Sequence, residues 1–135
     1  MEILKIKTSK REEIIAITLG INKLIKDVKN GSVLVFSRHT TTGLTINEND
    51  DPVIKDDVLE FLKNYVPRGK WKHDASGRCN KGNNADAHIK SSIIGNSKLI
   101  PVENGKLLLG EWQSLWLCEF DGPGEREIIV QKNVM

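Results

Sequence analysis

KLIPVENGKLLLGEWQSLWLCEFDGPGEREIIVQ, residues 98–131, decides the fold. Apolar runs at Lys98–Val102, Lys106–Gly110, Glu111–Phe120 and Arg126–Gln131 are separated only by short turns. Glu103-Asn104-Gly105 is a tight turn whose Asn-Gly pair favours the type I′ hairpin. Asp121-Gly122-Pro123-Gly124 is another turn. Strands joined so closely run antiparallel. Along 112–121, strand parity puts Gln113, Leu115, Leu117 and Glu119 on one face. Trp112, Trp116, Cys118 and Phe120 share the other. Both faces are largely apolar, which predicts a central strand.

Toward the N-terminus, Met1–Thr8 alternates, with Leu4 and Ile6 on one face and Lys5 and Lys7 on the other. That is a half-buried strand. Glu12–Thr18 is rich in β-branched isoleucine and reads as a strand. Thr18 then caps a helix over roughly 19–30, with Ile21, Leu24, Ile25 and Val28 as its apolar stripe and Gly31 as its stop. Ser32–Ser37 is a continuous apolar run of strand length, hence central and buried. Thr40–Asn47 is a threonine-rich strand. Asp51-Pro52 starts a helix that runs to about Val66. Residues 68–83 are polar and predict little regular structure. Asn84 or Asp86 caps a short helix ending near Gly95. The class is α+β: a single domain over 1–135, a two-layered antiparallel or mixed β-sheet sandwich with about three helices packed on one side.

The chain has 135 residues, enough to bury a core without disulfides or a structural metal. Twenty basic and 18 acidic residues leave a net charge of +2, with no basic run. That predicts no nucleic-acid and no membrane partner. No apolar stretch is long enough for a transmembrane helix. The start lacks the form of a signal peptide, so a cytoplasmic location is expected. Cys79 and Cys118 are then expected as free thiols.

Polar residues in awkward places are the informative ones. Ser37-Arg38-His39-Thr40-Thr41-Thr42-Gly43 leaves a buried strand carrying a histidine, an arginine and several hydroxyls. It suits an oxyanion, with backbone amides near Gly43 as added donors. The plainer reading is a threonine-rich strand edge. Asn47-Glu48-Asn49-Asp50-Asp51 precedes a helix; capping explains Asp50 and Asp51, but Asn47 and Glu48 less well. Asn84 and His88 are four apart and share a helix face. Asp86 reads as a cap. Glu119 lies on an apolar face and needs a partner. It pairs with a lysine or arginine, or it serves the site as a base or anchor.

The chain has three histidines, His39, His73 and His88, each near an element end or in a loop. Neutral imidazole is the commonest metal donor. Three histidines with an open position is the catalytic-zinc arrangement. No tight metal motif is present, so spacing alone leaves metal-ligand and structural roles open.

Four stretches together resemble the YjbQ-like family, also described as secondary thiamine-phosphate synthases. They are His39-Thr40-Thr41-x-Gly43-Leu44-Thr45-Ile46-Asn47-Glu48-Asn49, Asn84-Ala85-Asp86-Ala87-His88-Ile89-Lys90, Leu109-Gly110-x-Trp112-Gln113 and Glu119-Phe120-Asp121-Gly122-Pro123. The resemblance spans nearly the whole chain. It implies a sandwich-like α+β fold, a homotrimer, and a cluster of His39, His73 and His88 that holds a metal or an oxyanion. The metal expected is divalent: zinc, or magnesium with a pyrophosphate substrate. The family's loop before the second histidine usually carries an aromatic residue, which Trp71 supplies. The Gly77–Lys81 insert with Cys79 departs from the pattern.

These readings predict an enzyme of the secondary thiamine-phosphate synthase type acting on a phosphorylated small molecule. His39 and Glu119 are its candidates for proton transfer. Arg38, Thr40, Thr41, Asn47, Glu48, Asn84, Asp86, Lys90 and Gln113 are its substrate- or anion-binding candidates. A metal, Arg38 or Lys90 would stabilise the leaving group. One alternative is a metal-dependent hydrolase with Glu119 or Glu48 as base. The other is a non-catalytic phosphometabolite- or metal-binding protein.

Overall fold

The alternation at the start of the chain becomes the edge strand of a five-stranded sheet in the computed structural model, which describes residues 1–78 and 82–135. Cys79, and with it the centre of the Gly77–Lys81 insert, lies outside the described residues. The strands are β1 (Glu2–Lys7), β2 (Glu13–Ala16), β3 (Asn30–Ser37), β4 (Thr42–Glu48), β5 (Ser97–Glu103), β6 (Lys106–Leu107), β7 (Gln113–Glu119) and β8 (Glu125–Val134). The helices are α1 (Thr18–Leu24), α2 (Val53–Tyr65) and α3 (Ala85–Ile94), with a 3-10 turn at Lys72–Ala75. One sheet has the order β1-β8-β3-β5-β6 and the other β2-β7-β4. Every pairing is antiparallel.

The two sheets form an α+β sandwich. Val33, Val35, Ile100, Val102, Ile128 and Val130 of the large sheet meet Leu44, Leu115 and Leu117 of the small one. Ile21, Ile25 and Val28 join that core from α1 and the turn after it. Each fully buried side chain of this kind contributes about 1.5–3 kcal/mol. The predicted parity of the β7 strand holds. Trp116, Cys118 and Phe120 point away from the sandwich core and pack with Leu62 of α2 and Ala87 of α3. Central placement follows, since β7 is the middle strand of its sheet. Burial pushes the free Cys118 thiol up to about 12.

Local turns were a poor guide to which strands pair. Of the last four strands only β5 and β6 pair with each other. Their hairpin has the expected turn, with Asn104 and Gly105 both at positive φ. A Cβ on Gly105 would also stand 2.8 Å from the Lys26 carbonyl oxygen. The chain then crosses to the small sheet for β7 and returns for β8. The strand expected over 106–110 stops at Leu107. The Gln113 Oε1 accepts the Gly110 amide at 2.8 Å and folds 110–113 into a turn. Helix α1 is shorter than predicted, because the Val28 and Lys29 carbonyls accept from Gly105 and Asn104 instead of continuing the helix. Thr18 does not cap it; its Oγ1 accepts the Leu115 amide at 2.8 Å and ties the helix to β7. Asp51 does cap α2, accepting from the Val53 amide at 3.0 Å.

Candidate functional site

The link from β3 to β4 carries the chain from the large sheet to the small one, and its polar side chains first of all build that link. The Ser37 and Thr42 hydroxyls share a hydrogen bond of 2.7 Å in the interior. The His39 amide donates to Ser37 Oγ at 3.3 Å. Thr41 is buried, and its carbonyl accepts from the Phe120 amide. Gly43 is not an anion cradle. It lies inside β4 opposite Cys118, and a Cβ there would stand 2.6 Å from Ile94 of α3. The glycine allows α3 to lie against the strand, where Ser91 Oγ donates to the Thr42 carbonyl and the Leu44 amide donates to the Gly95 carbonyl.

A cleft of about 640 Å³ opens beside this link. Arg38, His39 and Thr40 line one side, and His88, Ser91 and Ser92 of α3 line the other. His39 Nε2 accepts the backbone N–H of Glu127 in β8 at 2.9 Å. A neutral imidazole with Nε2 as acceptor carries its proton on Nδ1. Burial lowers the His39 pKa below its ordinary value, and the nearby Arg126 charge adds to that. Arg38 is exposed at the rim, 3.7 Å from the Glu127 carboxylate. Such a surface pair contributes about 0–1 kcal/mol, so the guanidinium is readily given to another anion.

His73 joins from the 3-10 turn. Its ring meets His88 edge-on, with centroids 5.2 Å apart, and its Nε2 is 3.1 Å from Asn84 Oδ1. Asn84 and His88 thus share a helix face, as their spacing predicts. Trp71 fastens the turn: its indole N–H donates to the Pro67 carbonyl at 2.7 Å. Asp74 Oδ1 accepts the first amide of α3, from Ala85, at 3.0 Å. Asn84 Nδ2 donates to Asp121 Oδ2 at 2.9 Å. Among the described residues, no three His, Cys, Asp or Glu side chains converge as metal ligands.

The other predicted residues separate into two further places. Asn47, Glu48 and Gln113 line a hollow of about 480 Å³ with Trp112 at the far end of β4 and β7. The six-residue step from Thr42 to Glu48 spans about 20 Å at strand rise, so one chain does not bring them to the histidines. Asp86 is not a cap. It is buried in the first turn of α3, and Arg11 grips its two oxygens at 3.2 and 3.0 Å. Burial pushes the Asp86 carboxyl up, but the Arg11 and Lys90 hydrogen bonds and charges outweigh it and hold it below its ordinary value. Lys90 is 1% exposed, and its ammonium is held by Glu12 and by Asp86 at 3.2 Å. Glu119 is fully buried and accepts from Arg126 Nε at 2.7 Å and Thr8 Oγ1 at 2.8 Å. Glu119 thus has the arginine partner that its burial required.

Ser91 and Ser92 were missed as cleft residues. Their positions three and four after His88 on a helix were the signal for them. Arg11 and Glu127 gave no signal, because their partners are distant in sequence.

The chain matches the family described as UPF0047 protein YjbQ-like over residues 2–134. It belongs to the YjbQ-like family. A UPF0047 protein of Archaeoglobus fulgidus is 46% identical over 129 residues, 95% of this chain and 97% of that one. The UPF0047 protein YugU of Bacillus subtilis is 42% identical over 133 residues, 97% of each chain. Among solved structures, a YjbQ/UPF0047 protein of Clostridium acetobutylicum is 40% identical with a TM-score of 0.88, covering 98% of this chain and all of its own. A protein of Aeropyrum pernix K1, 33% identical, also has a TM-score of 0.88 and covers 100% of both chains. The sandwich and its three helices are therefore those of a YjbQ-like fold. Among the described residues no helix is long and apolar enough to cross a membrane.

Proposed function

We propose that the cleft between His39 and His88 binds the phosphoryl group of a small phosphorylated molecule. The observation that carries this reading is the hydrogen bond from the Glu127 amide to His39 Nε2. It leaves the ring a donor at Nδ1, which suits an oxyanion. It also occupies the nitrogen that a metal would use. Arg38 at the rim adds a charged fork suited to phosphate oxygens, and the Thr40 hydroxyl adds a neutral donor. Zinc, or magnesium carried by a pyrophosphate, is the competing occupant. It requires His39 to release the Glu127 amide or a partner copy to supply ligands.

The reaction proposed is that of a secondary thiamine-phosphate synthase, which joins a pyrimidine pyrophosphate to a thiazole phosphate and releases pyrophosphate. In this reading Arg38 stabilises charge on the departing pyrophosphate. His39 and His88 handle protons. Glu119 anchors Arg126 and touches no reactant. A cytoplasmic location would fit precursors of this kind. The assembly is a homotrimer. Support for a partner copy comes from the outer face of the large sheet, where Ile3, Ile129, Phe36, Leu34 and Leu99 stand in paired positions on neighbouring strands. Phe36 also lines the cleft, so a copy covering that face would border the site.

The test is formation of thiamine phosphate from the two precursors by protein purified from a host lacking its own synthase. Weak turnover is expected, with loss of at least tenfold in His39→Ala and in Arg38→Ala. A tenfold loss corresponds to about 1.4 kcal/mol of transition-state stabilisation. Absence of turnover in the wild type would remove the synthase assignment. Turnover abolished by a chelator and restored by zinc would instead favour the metal.

A further inference from the structure

Helix α3 is a wall with two faces. At about 3.6 residues per turn, His88, Ser91 and Ser92 fall on one side and Asp86 and Lys90 on the other. The first side lines the histidine cleft. The second lines a separate pocket of about 440 Å³, walled also by Arg11, Glu12, Lys63 and Arg68. Four cationic side chains against two carboxylates give this lining a formal charge of +2.

Both carboxylates are already engaged. Asp86 takes the Arg11 fork and Lys90, and Glu12 takes Lys90 with Arg11 Nη1 at 3.5 Å. Lys63 and Arg68 have no carboxylate partner among the described residues. Arg68 is instead aimed by two backbone acceptors: its Nε donates to the Asn83 carbonyl at 2.8 Å and its Nη2 to the Gly82 carbonyl at 3.1 Å. One donor is also left over inside. Arg11 Nε is buried without a hydrogen-bond partner, within ion-pair distance of Asp121 Oδ1 at 3.9 Å. A buried N–H without an acceptor is costly.

We infer that this pocket is a second anion site, independent of the histidine cleft, that takes a phosphate-class oxyanion of a small molecule. The N–H donors left on Arg68 and Lys63, beside the Arg11 and Lys90 charges, match the many acceptor lone pairs of such a group. The volume admits a small molecule, in the range of ordinary ligand pockets. Asp86 and Lys90 serve it by holding Arg11 and the pocket floor in place. They do not reach the histidines.

The test is calorimetric titration of the full chain with inorganic pyrophosphate at low salt. The variants are Lys63→Ala/Arg68→Ala, Lys63→Glu and His88→Ala. Lys63 and Arg68 are exposed, so their replacement leaves the fold intact, which a thermal melt checks. Loss of a charged donor is expected to weaken the pocket's binding by about tenfold each, and Lys63→Glu to weaken it further by repulsion. His88→Ala is expected to leave this component unchanged. If the cleft also binds, the wild type shows two components and His88→Ala removes the other one. If the cleft reading is wrong, a single component remains that depends on Lys63 and Arg68, and the pocket stands. Absence of any pyrophosphate uptake, or uptake unchanged in Lys63→Ala/Arg68→Ala, overturns the inference.

Discussion

His39 reaches from the end of β3 to the backbone of β8 and holds the Glu127 amide through Nε2. That bond exists only while Nε2 is unprotonated. Burial, and then the Arg126 charge, lower the His39 pKa in the folded state. The unfolded value is about 6.5. Between the two, the unfolded chain binds more protons, so stability rises with pH there. The contribution of His39 is complete above the unfolded pKa and is lost as pH falls through the lowered folded one. Urea midpoints are expected to fall from neutral pH into the acid range, with the fall shallower in His39→Ala. An equal slope in both proteins would mean that His39 does not carry this linkage. The presence of such a bond was not legible, since Glu127 lies 88 positions away. The buried charge at Glu119 was legible as a group needing a partner, but its partner Arg126 was not, because it comes back across the Asp121–Gly124 turn.

At the scale of elements, α3 organises the molecule. It is pressed against β4 because Gly43 has no side chain, and its two faces then front two different pockets. Gly43→Ala would set a Cβ 2.6 Å from Ile94 Cγ2 and 2.7 Å from its Cβ. The Ile94 Cβ is fixed to the helix backbone, so α3 itself must shift. The expected cost is about 1–3 kcal/mol, the usual range for overpacking. It should appear in denaturant unfolding, together with weaker ligand binding in the cleft. A variant as stable as the wild type would show that the helix is not seated this way. The elements themselves were largely readable, because periods of two and of 3.6 leave clear traces in the sequence. The parity of β7 is the plainest case. The sheet order was not readable. Short turns show where a chain reverses, but not that β7 crosses to the other sheet before β8 returns.

At the scale of the whole molecule, one chain leaves its family motifs in three separate places. The histidine cleft, the Asn47–Gln113 hollow and the Arg11–Lys90 pocket do not merge. Sequence reading treated them as one site because motif residues carry no distances. A homotrimer is the assembly proposed here, and sedimentation is expected to give three times the 15.2 kDa chain mass. Leu99→Lys, on the uncovered face of the large sheet, is expected to shift the protein toward monomer; a monomeric wild type would remove the trimer. The role proposed for His39 is that of a neutral donor to an oxyanion. The direct measurement is nitrogen-15 NMR of the histidine side chains, followed through pH and through addition of thiamine phosphate. The His39 ring is expected to be protonated at Nδ1, titrating below about 6.5, with its Nδ1–H resonance shifted by the ligand. A His39 ring protonated at Nε2, or one that responds to zinc and not to thiamine phosphate, would contradict it.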